Sequence, residues 1–445
     1  MKVSVIGTGY VGLVSGVCLA EKGHEVVCVD NDVLKVNKIN LAESPIYEEG
    51  LDELLLSNIG NRFSATIDLK DSVINSDLSL LAVGTPFNGS EIDLKYVRQV
   101  AKEIGIALKE KNDYHVIVVK STVVPGTTDE VVIPLLEKYS GKKSGIDFGV
   151  GMNPEFLREG SAISDFMNPD RIILGAIDFQ THQLMSELYS PFSGITCLKI
   201  NNKTAEMIKY TSNSLLATLI SFSNEMGNLC SSIGNIDALE VMEGVILDKR
   251  ISPILESGDR IVPSITSYLE AGCGFGGSCF PKDVKALIQH GAMYDQSMSL
   301  LKSVIDINYK QPFEIINRLK KYYHDFNGLK ILVLGLAFKP GTNDMRESPA
   351  IPIINQLHEG GAVIQAFDPV AEEEAKNVFK GFEITYFSSI NSALNGVQVI
   401  LLLTRWPEFS DLPQIIKKKG IDPLIIDGRR MLPKNIVTHY EGIGS

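Results

Sequence analysis

One tryptophan in 445 residues, aromatic residues at 7% and six scattered cysteines are the sparsest features of this chain. The cysteines, Cys18, Cys28, Cys197, Cys230, Cys273 and Cys279, contain no Cys-x-x-Cys pair or other metal-ligand spacing. A chain of this size builds a core without disulfide staples, so reduced thiols in a cytoplasm are the simpler reading. Positive charge is scarce as well: 42 Lys and Arg against 54 Asp and Glu leave a formal net charge of -12. That balance argues against nucleic acid or an anionic membrane as partner, since both attract basic surfaces. It says little about a small phosphorylated ligand, which backbone amides and a few lysines can hold. No apolar run reaches the roughly 20 residues that a membrane span requires. Residues 1–6 run straight into a glycine turn without a basic leader, as a strand does and a signal peptide does not.

What is present is a soluble composition, 44% hydrophobic and 22% charged, on a chain long enough for two or three domains. Short apolar runs at 3–6, 25–29, 79–83, 115–120 and 172–174 alternate with helical patterns, notably 11–22 and 94–107. Such alternation predicts a parallel sheet with crossover helices. From Lys203 to about Cys230, and again over 284–321, the pattern turns helical, with a Gly-, Ser- and Pro-rich loop at 252–281 between. After Gly328 the strands return at 330–334, 363–367, 397–403 and 424–426. The expected fold is therefore α/β, with two doubly wound, Rossmann-like parallel-sheet domains, 1–200 and 326–445, joined by a central all-helical domain, 201–325.

The first strand leads into Gly7-Thr-Gly-Tyr-Val-Gly12 and then a helix. Gly7 permits the tight turn, Gly9 lets backbone approach a pyrophosphate, and Gly12 lets helix and strand pack closely. Alone, Gly-x-Gly-x-x-Gly is a weak signal. Here it joins a strand to a helix, and a second strand ends in Asp30, a carboxylate that accepts from ribose hydroxyls and repels the 2′-phosphate of NADP. NAD is the expected cofactor. The loops Val83-Gly-Thr-Pro86 and Lys120-Ser-Thr-Val-Val-Pro-Gly-Thr127 follow later strands, where ligands of open α/β sheets gather. Thr85 and Thr122 are there either as donors to the cofactor or as ordinary N-caps. The second α/β unit opens with Gly335-Leu-Ala-Phe-Lys339, which lacks the fingerprint.

The least ordinary segment is Gly272-Cys-Gly-Phe-Gly-Gly-Ser-Cys-Phe-Pro-Lys-Asp283. Glycines allow a tight loop with converging backbone donors, and the Lys282 ammonium favours the nucleophilic thiolate of Cys279. A buried cysteine is more often a small hydrophobe, but Gly-Gly-Ser before Cys279 and Phe-Pro-Lys-Asp after it suit a core poorly. Cys273 lacks charged neighbours and reads as structural.

Together these segments resemble the UDP-glucose/GDP-mannose dehydrogenase family over nearly the whole chain. The resemblance also rests on Pro45-Ile-Tyr-Glu-Glu-Gly50, Asn153-Pro-Glu-Phe-Leu-Arg-Glu-Gly160, Lys209-Tyr-Thr-Ser-Asn213 and Arg346-Glu-Ser-Pro349. It implies a four-electron oxidation with two NAD in succession, most closely that of the C6 alcohol of UDP-glucose to UDP-glucuronate. Cys279 would carry a thiohemiacetal and then a thioester, which water opens. By motif match, Lys209 and Asn213 would stabilise alkoxide and oxyanion, Asp283 would order the catalytic water, and Glu155 would activate water against the thioester. The cofactor set would add Tyr10, Val11, Lys35, Glu159, Lys282 and Arg346. Sugar-nucleotide contacts would come from Glu155, Phe156 and Leu157, from Tyr268, Leu269, Glu270, Ala271, Gly272, Phe275 and Gly276, and from Lys339 and Arg429. The family also implies a homodimer through the central helices. The apolar-striped helical segment agrees with that, or with an intramolecular core.

Two departures stand out. The family's Asp-x-Arg-Ile-Gly string has two imperfect counterparts, Asp248-Lys-Arg-Ile251 and Gly258-Asp-Arg-Ile261, with an apparent insertion at 252–263. Arg250 is preferred to Arg260 as the arginine reaching substrate across the dimer. Thr404-Arg-Trp406 replaces the more familiar Thr-Glu-Trp. The alternatives are the same chemistry on GDP-mannose or a UDP-N-acetylhexosamine, a two-electron hydroxyacid dehydrogenase, and a non-catalytic NAD-binding regulator.

Overall fold

The computed structural model describes residues 1–445 and divides the chain into two compact units, Met1–Ser212 and Asn213–Ser445. The first unit holds strands β1 Lys2–Ile6, β2 Glu25–Val29, β3 Phe63–Thr66, β4 Leu78–Leu81, β5 His115–Val119, β6 Phe148–Met152, β7 Ile172–Ala176 and β8 Cys197–Ile200. They form one sheet in the order β3-β2-β1-β4-β5-β6-β7-β8. The order reverses between β1 and β4, which makes the carboxyl ends of those two strands the switch point where doubly wound sheets bind ligands. Apolar clusters cover both faces. Leu13, Val17 and Leu80 belong to one, Ile104, Ile117 and Leu136 to the other.

Two features depart from the sequence reading. The pairing of β6 with β7 is antiparallel, while β7 with β8 is parallel again. And β6, Phe148-Gly-Val-Gly-Met, carries no strand signal because its glycines answer to packing. A Cβ on Gly149 would lie 2.3 Å from Thr181 Oγ1, and one on Gly151 would lie 2.4 Å from Met185 Sδ. Helix Phe179–Leu188, capped by Asp178, rests directly on that bare backbone.

Helix Asn202–Ile233 runs from the first unit into the second. The second expected helical stretch is three helices, Phe280–Ala292, Ser299–Lys310 and Phe313–Lys320. Asp295 and Met298, at φ 58° and 49°, turn the chain between the first two, and Pro312 precedes the third. Apart from the helices at 238–246 and 264–269, the 234–279 segment is loop, so this central region is helical with one long interruption.

The second unit's sheet comprises β9 Lys330–Leu334, β10 Val363–Phe367, β11 Ile384–Tyr386, β12 Val399–Leu402, β13 Leu424–Asp427 and β14 Tyr440–Gly442, all paired parallel in the order β11-β10-β9-β12-β13-β14. This repeats the order of the first six strands of the other sheet. The repetition reaches single residues. Asp30 follows β2 and accepts from the Thr8 amide at 2.9 Å, and Asp368 follows β10 and accepts from the Leu336 amide at 2.7 Å. No helix in either unit is long and apolar enough to cross a membrane.

Candidate active site

In the first unit, β1 is followed by Gly7, whose φ of 104° lies in the region that side chains disfavour. Helix Tyr10–Glu21 begins after Gly9 with no side-chain cap. A Cβ on Gly12 would lie 1.9 Å from Gly7 O, so glycine there is demanded by protein packing. A Cβ on Gly9 would meet no protein atom within 4 Å; it would instead fill the cradle before the helix N-terminus. The amides of that first turn have orphan N–H groups and positive helix-end potential, the setting for a pyrophosphate. Val11, in the helix's first turn, lies beside them, half-buried.

Asp30 accepts from Thr8 N and Oγ1 through Oδ2, and from Asp32 N at 3.0 Å through Oδ1. Burial pushes its carboxyl up, but these bonds and the Lys35 charge outweigh it and hold Asp30 below the usual carboxylate range. An ionised carboxylate retains lone pairs for ribose hydroxyls beyond those three donors. Thr85 Oγ1 donates to Thr122 O at 2.7 Å, so that hydroxyl proton ties the loop after β4 to the loop after β5. Tyr10 donates its hydroxyl to Glu48, which also accepts from the Gly160 and Ala162 amides, each at 2.7 Å. Glu48 thereby fastens the loop carrying Glu155 and Glu159 to the glycine-loop helix. Glu159 itself is half-buried, close enough for its charge to act on Tyr10.

Glu155 is buried and forms an ion pair with Lys209 at 2.9 Å, both side chains no more than 5% exposed. Its other oxygen accepts from the Leu157 amide at 2.7 Å. Burial raises this carboxyl, and Lys209, the Leu157 amide and Lys120 together bring it below its ordinary value. The Phe156 ring lies 5.5 Å from the Lys209 ammonium.

In the second unit, Asn213, one turn beyond Lys209 on the same helix, donates to Asp283 Oδ2 at 2.6 Å. Lys282 donates to the other oxygen at 2.7 Å. Asp283 is 1% exposed and returns its amide to Cys279 O at 2.8 Å. Cys279 is the N-cap of helix Phe280–Ala292, half-buried, with Sγ 3.6 Å from Ser278 Oγ. A helix N-terminus favours negative charge on a sulfur placed there. Behind it, a Cβ on Gly276 would lie 2.2 Å from Glu347 O, and Gly277 N donates to Arg346 O at 2.8 Å. Only glycine lets the cysteine loop lie so close to the turn after β9.

Other expected site residues are placed as follows. Tyr268 and Leu269 end a short 3-10 helix, with the Tyr268 ring 6.4 Å and the Phe275 ring 5.9 Å from Phe280. Ala271 is buried, and Gly272 donates to Asn224 Oδ1 at 2.8 Å. Glu270 pairs with Arg405 at 2.6 Å, so the arginine of the Thr404-Arg-Trp406 departure has a carboxylate partner on the loop before Cys279. Arg429 donates to Leu403 O and Gly274 O at 2.8 and 3.0 Å, joining the cysteine loop to the second sheet. Lys339 lies 5.7 Å from the Phe338 ring centre, and Arg346 pairs with Asp344 at 2.8 Å. Arg250 is exposed and paired with Asp248 at 2.6 Å. Arg260 folds back to Leu247 O and Ser252 O, each at 2.8 Å. Neither arginine hydrogen-bonds or ion-pairs with another expected site residue of its own unit.

Three models describe successive parts of the UDP-glucose/GDP-mannose dehydrogenase family, and all match: the NAD binding domain over 1–193, the central domain over 203–310 and the UDP binding domain over 332–434. The chain belongs to the UDP-glucose/GDP-mannose dehydrogenase family. It is 42% identical to a UDP-glucose 6-dehydrogenase of Bacillus subtilis, covering 97% of this chain and 89% of that one. It is 39% identical to a UDP-glucose 6-dehydrogenase of Haloferax volcanii, with both chains fully covered. Among solved structures, a UDP-glucose dehydrogenase of Pyrobaculum islandicum superposes with a TM-score of 0.89 at 36% identity, over 99% of this chain and 97% of that one. The protein is thus a dehydrogenase of this family with NAD as its cofactor, and the cradle at Gly9, the bare helix N-terminus and ionised Asp30 fit that dinucleotide.

Glu48, Lys120 and Asn153 escaped functional assignment from sequence. Glu48 and Asn153 lay within recognised motifs. Lys120 had a signal of its own, a cation ending the apolar run Val116-Ile-Val-Val119.

Proposed function

We propose that this family member oxidises the C6 alcohol of UDP-glucose to UDP-glucuronate through a thioester on Cys279. The observation that carries the reading is the network in which Asn213, from helix Asn202–Ile233, and Lys282 both donate to Asp283 on the helix that Cys279 caps, together with the buried Glu155–Lys209 pair. NAD, when bound, supplies the hydride acceptor for both oxidations. Gly7, Gly9, Tyr10, Val11 and Gly12 would line its pyrophosphate, Asp30 and Lys35 its ribose, and Thr85, Thr122, Glu159, Lys282 and Arg346 its remaining contacts.

Loss of the C6 hydroxyl proton places charge on oxygen, which the Lys209 ammonium and the Asn213 amide offset. An aldehyde carbon has no hydride to give until a nucleophile adds, and the Cys279 thiolate supplies that bond. The resulting thiohemiacetal is oxidised to a thioester. Water attacks its carbonyl carbon, the C–S bond breaks, sulfur leaves as thiolate, and the water proton passes to a carboxylate. Glu155, held ionised beside Lys209, has that capacity. Asp283 orders the water through the bonds that fix it to Asn213 and Lys282. Residues 268–276, Phe156, Leu157, Lys339 and Arg429 would hold the sugar nucleotide, and the segments 1–200, 201–325 and 326–445 would act as three domains.

The reading extends to a cytoplasmic homodimer, supported by the exposed apolar residues of helix Asn202–Ile233, with exposed Arg250 as the arginine offered to the partner.

The test is NADH release counted against uronate over a panel of UDP-glucose, GDP-mannose and UDP-N-acetylhexosamines. Two NADH per uronate with UDP-glucose is the expected result. One NADH per sugar would remove the thioester route, and silence with UDP-glucose would remove the substrate. Cys279→Ala is expected to bind NAD yet form no uronate.

A further inference from the structure

Beside the Glu155–Lys209 pair lies a second buried ammonium with no task in that chemistry. Lys120 follows β5 directly and is 3% exposed. Strand pairing sets it opposite Asn153, which follows β6 and donates its amide to Val119 O at 2.9 Å. Lys120 Nζ donates to Asn153 Oδ1 at 2.8 Å, and Asn153 Nδ2 donates to Ile173 O at 2.9 Å. Asn153 therefore carries the register of three strands into the loop that begins Asn153-Pro-Glu155.

The charged and titratable groups around Lys120 are few. Glu155 attracts it, Lys209 on helix Asn202–Ile233 repels it, and the Phe166 ring centre lies 5.8 Å from its nitrogen. The Tyr189 hydroxyl shares Asn153 Oδ1, and burial holds that phenol well above its ordinary value, so it stays neutral. Two ammonium groups thus share one carboxylate within the fold. A buried ammonium costs stability that a methionine of similar length would not. Burial also pulls the Lys120 ammonium down to about 8, so the site holds a cation that water would hold more easily.

We propose that Lys120 is a positioning residue for thioester opening: through Asn153 it fixes the loop that carries Glu155, and its charge, added to that of Lys209, keeps that carboxylate in its proton-accepting form. The inference rests on the proposed role of Glu155 in activating water at the Cys279 thioester. Lys120 touches neither sulfur nor water in this role; it acts through Asn153 and through the field at Glu155.

The experiment uses the full chain with UDP-glucose and NAD, comparing wild type, Lys120→Met and Lys120→Gln. In Lys120→Met, release of the first NADH is expected to persist while uronate release slows by about tenfold or more, part of the roughly 10²–10⁴-fold that a well-placed base contributes. The thioester adduct on Cys279 should accumulate, read by intact-protein mass spectrometry after acid quench, and the acid limb of uronate release should move to higher pH. Lys120→Gln keeps a donor for Asn153 without the charge, so it should retain the shifted acid limb with a smaller loss of rate. The melting temperature of the methionine variant should match or exceed that of wild type. Unchanged adduct lifetime and acid limb in both variants would overturn the inference alone. So would a parallel fall of melting temperature and of both oxidation steps in both variants. A wild type that forms no uronate would remove the underlying reading, and this role with it.

Discussion

Gly9 and Gly12 stand three residues apart in one loop, yet the structure gives them different reasons to lack a side chain. Gly12 is pressed against Gly7 O, and a Cβ 1.9 Å from a backbone oxygen cannot be relieved by a rotamer. Gly9 has an extended backbone, φ -70° and ψ -174°, that alanine adopts freely, and no protein atom near its missing Cβ. Gly12→Ala is therefore expected to destabilise by about 1–3 kcal/mol or more, as overpacking does. Gly9→Ala should leave the melting temperature unchanged while NAD affinity falls by about tenfold, roughly 1.4 kcal/mol. Thermal denaturation beside a titration with NAD separates them, and a Gly9→Ala variant with intact affinity would remove the pyrophosphate from that position. At this scale spacing made the glycine loop, Asp30 and the cysteine loop legible, because each is a short string with a fixed chemical purpose. Glu48 and Lys120 were not legible, because their significance lies in burial and in partners more than thirty residues away. Asn153, for example, meets Lys120 only once β5 and β6 pair.

The strands show what residue patterns conceal. The mostly apolar β1 and β5 were readable as buried strands, whereas β3, β6, β8, β11 and β14 were not. Among these, β6 is glycine-broken to seat a helix, and β8, β11 and β14 are edge strands without a sustained apolar run. Inside the apolar strands lies a polar chain that binds three of them. Ser4 on β1 meets Ser79 on β4, and Ser79 meets His115 Nε2 on β5 at 2.7 Å. His115 Nδ1 lies 3.1 Å from Ser76 O, a carbonyl that only accepts, so Nδ1 carries a proton, and burial beside the Lys111 charge disfavours a second one on Nε2. Burial, with the Lys111 charge, depresses this imidazole from 6.5 to about 3. The unfolded chain takes up a proton below its ordinary value while the fold refuses it. The contribution to stability is thus complete above about pH 6.5 and lost as pH falls toward 3, with a slope approaching 1.4 kcal/mol per pH unit. His115→Gln, neutral throughout, should show a shallower loss in urea denaturation between pH 7 and 4. Equal slopes for variant and wild type would mean that the ring is protonated in the fold.

At the scale of the whole molecule, the sequence announced two α/β regions and a helical middle, because each depends on periodicity sustained over tens of residues. The answering strand orders of the two sheets were invisible, since strand order is a property of pairing and the corresponding loops share little beyond a glycine and an aspartate. The solvent face of helix Asn202–Ile233 was half-legible: an apolar stripe was plain, its destination open. Leu215, Phe222, Leu229 and Ile233 are between 47% and 63% exposed, and Leu219 and Met226 between them are half-buried. Their spacing of four, three, four, three and four residues is the seam of a helix that packs against another helix. A stripe of this kind exposed along five turns favours association with a second copy, which fits the proposed homodimer. Wild type is expected to sediment as a dimer at micromolar concentration. Phe222→Glu, which sets like charges against each other at the centre of a two-fold seam, should sediment as a monomer with unchanged circular dichroism. If it sediments as a dimer, the subunits meet on another face. If wild type is itself a monomer, the stripe has some other partner, and Arg250 has no neighbouring subunit to reach.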